Sequence, residues 1–169
     1  MRRLLVVLSL LPLLALSACG LKVPTHLTIR QAADPCAVLG RARLARIAHA
    51  RGTATSVPLA GYTRARACRF RADAGTPVII LGTFDSMDLS FDQQVTQATD
   101  RFTASKVHRV RLRGAEDAAT MVALLNGVRV PVLMTMHDRF VSLALTVSRV
   151  PGRGARLDRE AMVALLRRS

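Results

Sequence analysis

Two runs of alternating arginine stand out among the side chains able to do chemistry. Arg69 and Arg71 lie in "ACRFRA", and Arg109, Arg111 and Arg113 lie in "VHRVRLRG". On an extended chain alternate residues share a face, so each run would present a row of guanidinium forks. Such forks match phosphate and carboxylate groups bidentately. If the two strands are neighbours, like charges face each other across the sheet, which is unfavourable without a counter-anion. These five arginines are therefore candidates for binding an anion, and the alternative is a solvated basic face.

The other titratable groups converge less. His26, His49, His108 and His137 are scattered, and none stands at metal-ligand spacing from another. His137-Asp138 would be a metal-binding pair of the kind used in phosphoester hydrolysis. It falls, however, where a hairpin turn is expected, and Asp is favoured there for turn reasons. Glu116-Asp117 points its two carboxylates apart on an extended chain and reads as a solvated loop. Asp85, Asp88 and Asp92 lack the alternating spacing and the glycine of a calcium loop and suit a helix N-terminus. There is no G-x-S-x-G elbow, no phosphate-cradling glycine loop and no H-E-x-x-H. The expectation is a protein that is not an enzyme and carries no cofactor or metal.

The three cysteines raise a different chemistry, because three thiols cannot all pair. The chain opens Met1-Arg2-Arg3 and continues "LLVVLSLLPLLAL" from Leu4 to Leu16. A positive start and an apolar run of about 13 residues make a secretory signal, whereas a membrane span needs about 20. Leu16-Ser17-Ala18-Cys19 resembles the lipobox of bacterial lipoproteins. That resemblance implies a diacylglyceryl group on Cys19, cleavage just before it, and an acylated (palmitate-type) anchor in the cell membrane; two signals suffice for stable anchoring. The alternative is an ordinary cleaved signal that ends near a cysteine. Cys36 and Cys68 are then left as the pair for a disulfide in an oxidising compartment, with two buried free thiols as the alternative.

Removal of residues 1–18 leaves 151, enough for one sizeable core. The formal charge of +14 falls to +12 with the loss of Arg2 and Arg3, and only Lys22 and Lys106 are lysines. Arginine bias with abundant alanine is also what a GC-rich genome writes by default. An exported, membrane-tethered chain meets anionic phospholipid and anionic wall polymer. Nucleic acid is set aside, since one Tyr and no Trp make a poor stacking platform.

Elements follow from periodicity and caps. Residues 19–33 read as the lipidated cysteine and a tether, and "GLKVPTHLTIRQAA" would span roughly 20 Å. Residues 34–169 read as one domain. Asp34 and Pro35 start a helix that Gly40 interrupts and Gly52 ends. "ACRFRA" alternates with Cys68 and Phe70 inward, and "TPVIILGTF" reads as a central strand. Ser90 and Gln93 form a capping box before the stripe Phe91, Val95, Ala98, Phe102. "VHRVRLRG" alternates with Val110 and Leu112 inward. Asn126-Gly127 and "HDR" at 137–139 mark the turns of a three-strand meander, in which Pro131 predicts a bulge or a locally free edge. Asp158 reads as the N-cap of a closing helix. The fold class expected is α+β: an antiparallel sheet including that C-terminal meander, with helices packed mainly on one face.

This arrangement is similar to a group of small actinobacterial lipoproteins whose domain has no assigned function. The likeness rests on the lipobox, "DPCAVL" at 34–39, Gly52, "CRF" at 68–70 and "GAEDAA" at 114–119, with Phe70 where that family has Trp and Gly40 where it has Thr or Ser. The family also resembles extracellular sensor domains of mycobacterial receptor kinases, which implies ligand sensing by analogy. Together these lead to a lipid-anchored protein on the outer face of the cell membrane, a non-enzymatic interaction or ligand-binding module with an envelope protein partner. A carrier or sensor of an amphiphile in an apolar pocket, lined by Met134 and Met136, is the alternative, and an envelope hydrolase comes third.

Overall fold

The computed structural model describes residues 32–59, 62 and 65–168. The leader, Cys19 and the tether up to residue 31 lie outside the described residues. The chain runs α1 (Pro35–Ala48), β1 (Gly52–Pro58), β2 (Arg66–Ala72), β3 (Val78–Asp85), α2 (Phe91–Arg101), β4 (Ser105–Arg109), β5 (Asp117–Leu125), β6 (Val128–His137), β7 (Phe140–Val147) and α3 (Arg153–Leu166). The strands make one antiparallel sheet in the order β1-β2-β3-β7-β6-β5-β4. The fold is α+β, and β5–β7 are the expected meander. No described helix is long and apolar enough to cross a membrane.

Alternation along the strands builds a core on each face. Cys68, Phe70, Ile79, Leu81, Leu133 and Ala144 face α1 and α3, whose Leu39, Leu44, Leu157 and Met162 complete that cluster. The intervening residues Met121, Val132, Met134, Val141 and Leu143 face the other way, against Phe91, Val95 and Ala98 of α2. Two helices thus cover one face and one covers the other. A disulfide between Cys36 and Cys68, Cα atoms 4.8 Å apart, ties the first turn of α1 to β2.

Local chemistry accounts for several boundaries. Asp34 accepts from the Cys36 N–H at 2.8 Å and from the Ser56 hydroxyl at 2.6 Å. Gly40 leaves the helical region and kinks α1. The Ser90–Gln93 capping box is complete in both directions. Asn126 and Gly127 both have positive φ, as a two-residue I′ hairpin requires. Pro131 pairs with Val122 of β5, while pairing to β7 begins only at Val132, so its missing N–H falls on a locally free side.

Three expectations are corrected. The first helix ends at Ala48, where His49 takes the left-handed cap, and Gly52 opens β1. A Cβ at Gly52 would stand 2.3 Å from the Arg71 carbonyl and 2.7 Å from the Phe70 ring, so glycine lets β1 close on β2. The last helix begins five residues earlier than Asp158, at Arg153, which puts Asp158 inside it. The strand "VHRVRLRG" ends at Arg109, so Arg111 and Arg113 lie in the following loop and share no strand face with it.

Candidate ligand-binding cleft

Helix α3 packs over β6 and β7, and β5 and β4 run out past its edge. Gly154 permits the close approach: a Cβ there would stand 2.8 Å from the Thr146 carbonyl oxygen and 3.2 Å from Pro131. Between the helix and the outlying strands is an open cleft of about 370 Å³. Its floor is Thr120 and Val122 of β5 with Pro131 and Leu133 of β6, continued by Val110 and Leu112 after β4. Ala155, Asp158 and Arg159 line it from α3, at helical spacings of three and four, and Lys106 and His108 line it from β4. The lining is chiefly apolar with a few convergent polar groups, the usual make-up of a small-molecule site.

Asp158 is the one carboxylate in that lining, and it is 1% exposed. The Thr146 hydroxyl donates to its Oδ1 at 2.6 Å, while Oδ2 has no hydrogen-bond partner among the described residues. Burial pushes the carboxyl up to about 7, and the hydrogen bonds from Thr146 pull it down without offsetting that cost. Opposite charge sits further out: Lys106 and Arg159 are exposed and pair with no described carboxylate. Sequence reasoning took Asp158 for a cap, because Asp after an apolar-poor stretch is the ordinary start of a helix.

The predicted arginine rows do not come together. β2 and β4 lie at opposite ends of the sheet order, with β3, β7, β6 and β5 between them, so like charges never face across adjacent strands. Arg69 and Arg71 do share one exposed face of β2, opposite the α1–α3 layer, cross-strand from Thr55 and Thr53. Arg109 is engaged: it bonds Asp92, stands 3.5 Å from Asp117 and stacks 4.5 Å over the Phe91 ring. Arg111 lines a separate, polar hollow with Arg109, Glu116 and Asp117. Met134 and Met136, expected in a pocket wall, sit on the α2 face of β6, away from the cleft.

His137-Asp138 does form a hairpin turn, with Asp138 at positive φ. Glu116 joins it, accepting from the Asp138 N–H at 3.1 Å, with His137 Nδ1 at 3.9 Å. One ligating atom from each of Glu116, His137 and Asp138 lies within 4.8 Å of the others. The exposed geometry is that of a turn clamp. Asp85 is gripped bidentately by Arg139, whose guanidinium also lies 3.8 Å from Asp88. Asp85 and Asp88 thus share Arg139, while Asp92 pairs with Arg109.

Comparison with family models, with curated proteins and with solved structures finds no match for the chain.

Proposed function

We propose that the chain is a lipid-anchored cell-envelope protein, held at the outer face of the membrane through Cys19, whose domain is a non-enzymatic binding module for a single-chain anionic amphiphile. The address is supported by the leader, the lipobox-like Leu16–Cys19 stretch and a disulfide of the kind oxidising compartments favour. The observation that carries the ligand is the cleft: an apolar floor with Lys106 and Arg159, paired with no described carboxylate, in its exposed part. About 370 Å³ lies at the small end of ligand-pocket volumes, which suits one short acyl chain. Cations at the mouth of an apolar slot complement a carboxylate, phosphate or sulfate head. This favours ligand uptake over a purely protein-docking module, for which the cleft has no use.

The test uses the exported chain carrying Cys19→Ser, purified without detergent. Dodecanoate, titrated calorimetrically below its micelle concentration, should bind one to one, and dodecyltrimethylammonium should not. Ala155→Trp, which fills the cleft from an exposed helix position, should abolish dodecanoate binding without lowering the melting temperature. Equal binding of both amphiphiles, or binding indifferent to Ala155→Trp, would overturn the reading. The anchor is checked separately, by incorporation of an alkyne palmitate into the wild-type chain and its loss in Cys19→Ser.

A further inference from the structure

Among the described residues none hydrogen-bonds the second carboxyl oxygen of Asp158. Its neighbours on the buried side of α3 are Leu157, Ala161, Met162 and Leu165, and an apolar side chain at position 158 would extend that stripe. The bond from the Thr146 hydroxyl goes to Oδ1, and Oδ2 is buried with no hydrogen-bond partner among the described residues, in a residue that lines the cleft. A buried polar atom in that condition is unfavourable unless something else supplies its hydrogen bond. The other groups that line the cleft with charge or a titratable proton are Lys106 and His108 from β4 and Arg159 from its own helix.

We infer that Asp158 Oδ2 reads a hydroxyl group carried on the apolar body of the ligand, so that the cleft selects hydroxylated anionic acyl amphiphiles over plain ones. The inference rests on the amphiphile reading above and narrows its ligand class. An ammonium group is a poor candidate, because it would pass Lys106 and Arg159 to reach one carboxylate. A carbonyl is served only by the protonated acid, and an ammonium, which only donates, is served best by the ionised one. A hydroxyl both donates and accepts, so it satisfies Oδ2 in either state. That property matters for a carboxyl whose proton is shared near neutrality.

The experiment compares dodecanoate with hydroxydodecanoates bearing the hydroxyl beside the carboxylate, at mid-chain or at the far end, again by calorimetry on the Cys19→Ser chain. One positional isomer should bind about tenfold to a hundredfold more tightly than dodecanoate, the discrimination that corresponds to the cost of leaving one buried polar group unpaired. Asp158→Leu should erase that preference while retaining dodecanoate binding. Asp158→Asn, which keeps a hydrogen-bonding oxygen and nitrogen in place, should preserve part of it and stands in if the leucine variant fails to fold. Equal affinities across the series, unchanged by either variant, would overturn the inference and leave the amphiphile reading intact. Failure of every probe to bind would overturn both.

Discussion

Thr146 and Asp158 join the end of β7 to the second turn of α3 through a 2.6 Å hydrogen bond between the hydroxyl and Oδ1. The bond sits where Gly154 brings the helix down on the sheet. It therefore fixes the height of one cleft wall and at the same time orients a carboxyl whose other oxygen is unmatched. Packing, cleft and unmatched polar atom are one arrangement.

Stability should fall as pH rises toward neutrality, on account of Asp158. Its carboxyl titrates at about 7 in the folded protein and at 3.8 when unperturbed. Between those values the folded state holds a proton that the unfolded state has released, so stability declines across that window and levels off above it. At 1.36 kcal/mol per unit the ceiling is roughly 4 kcal/mol. Asp158→Asn carries no titrating proton and should lose this component. Urea unfolding of both proteins at pH 5 and pH 8 isolates it as the change in their difference; a difference that stays constant with pH would refute the assignment.

The Cys36–Cys68 bond should be the largest single contribution to stability that can be removed without touching either face of the meander. Its sequence separation is 32 residues, for which the chain-entropy treatment yields about 3–4 kcal/mol. The double variant Cys36→Ala/Cys68→Ala should show that loss in the denaturation midpoint. Strands β5–β7 should keep their amide-exchange protection relative to β1 and β2, since the bond ties α1 to β2 alone. Uniform loss of protection across the sheet would show that α1 and the meander unfold as one unit.

What could be read in advance divides along the line between local and distant causes. Asp34, Pro35, Ser90, Gln93, Asn126 and Gly127 act on backbone groups a few residues away, and the elements they announce are where their spacing puts them. β1 escaped because "GTATSVP" sets small residues against polar ones and shows no apolar alternation; its partner, β2, is what makes it a strand. Asp158 looked like a cap because its true partner, Thr146, is twelve residues back on another element, and because α3 starts on Gly152 with no side-chain cap to mark it. The meeting of the two arginine rows failed for the same reason, although Arg69 and Arg71 share a face as expected. Their relation depended on strand order, and four strands intervene. The cleft draws on β4, β5, β6 and α3, so only the assembled sheet brings it together.

The basic residues should separate by function once their partners are counted. Arg109 is committed to Asp92, Asp117 and the Phe91 ring, which pins the first turn of α2 to β4 and β5. Arg109→Ser should therefore cost about 1 kcal/mol of stability, the sum of an exposed ion pair and a cation–π contact, and little else. Arg69 and Arg71 stand exposed on the bare side of β2, beside Thr53 and Thr55 and with no described carboxylate against them. A juxtamembrane arginine contributes about 1 kcal/mol on an anionic surface. Arg69→Ser/Arg71→Ser in the Cys19→Ser chain should then lower sedimentation with phosphatidylglycerol vesicles about thirtyfold, leave neutral vesicles unaffected and leave the melting temperature unchanged. If Arg109→Ser weakens vesicle binding more than the double variant does, the anionic surface meets the β4 end of the sheet, and Arg69 and Arg71 are simply solvated.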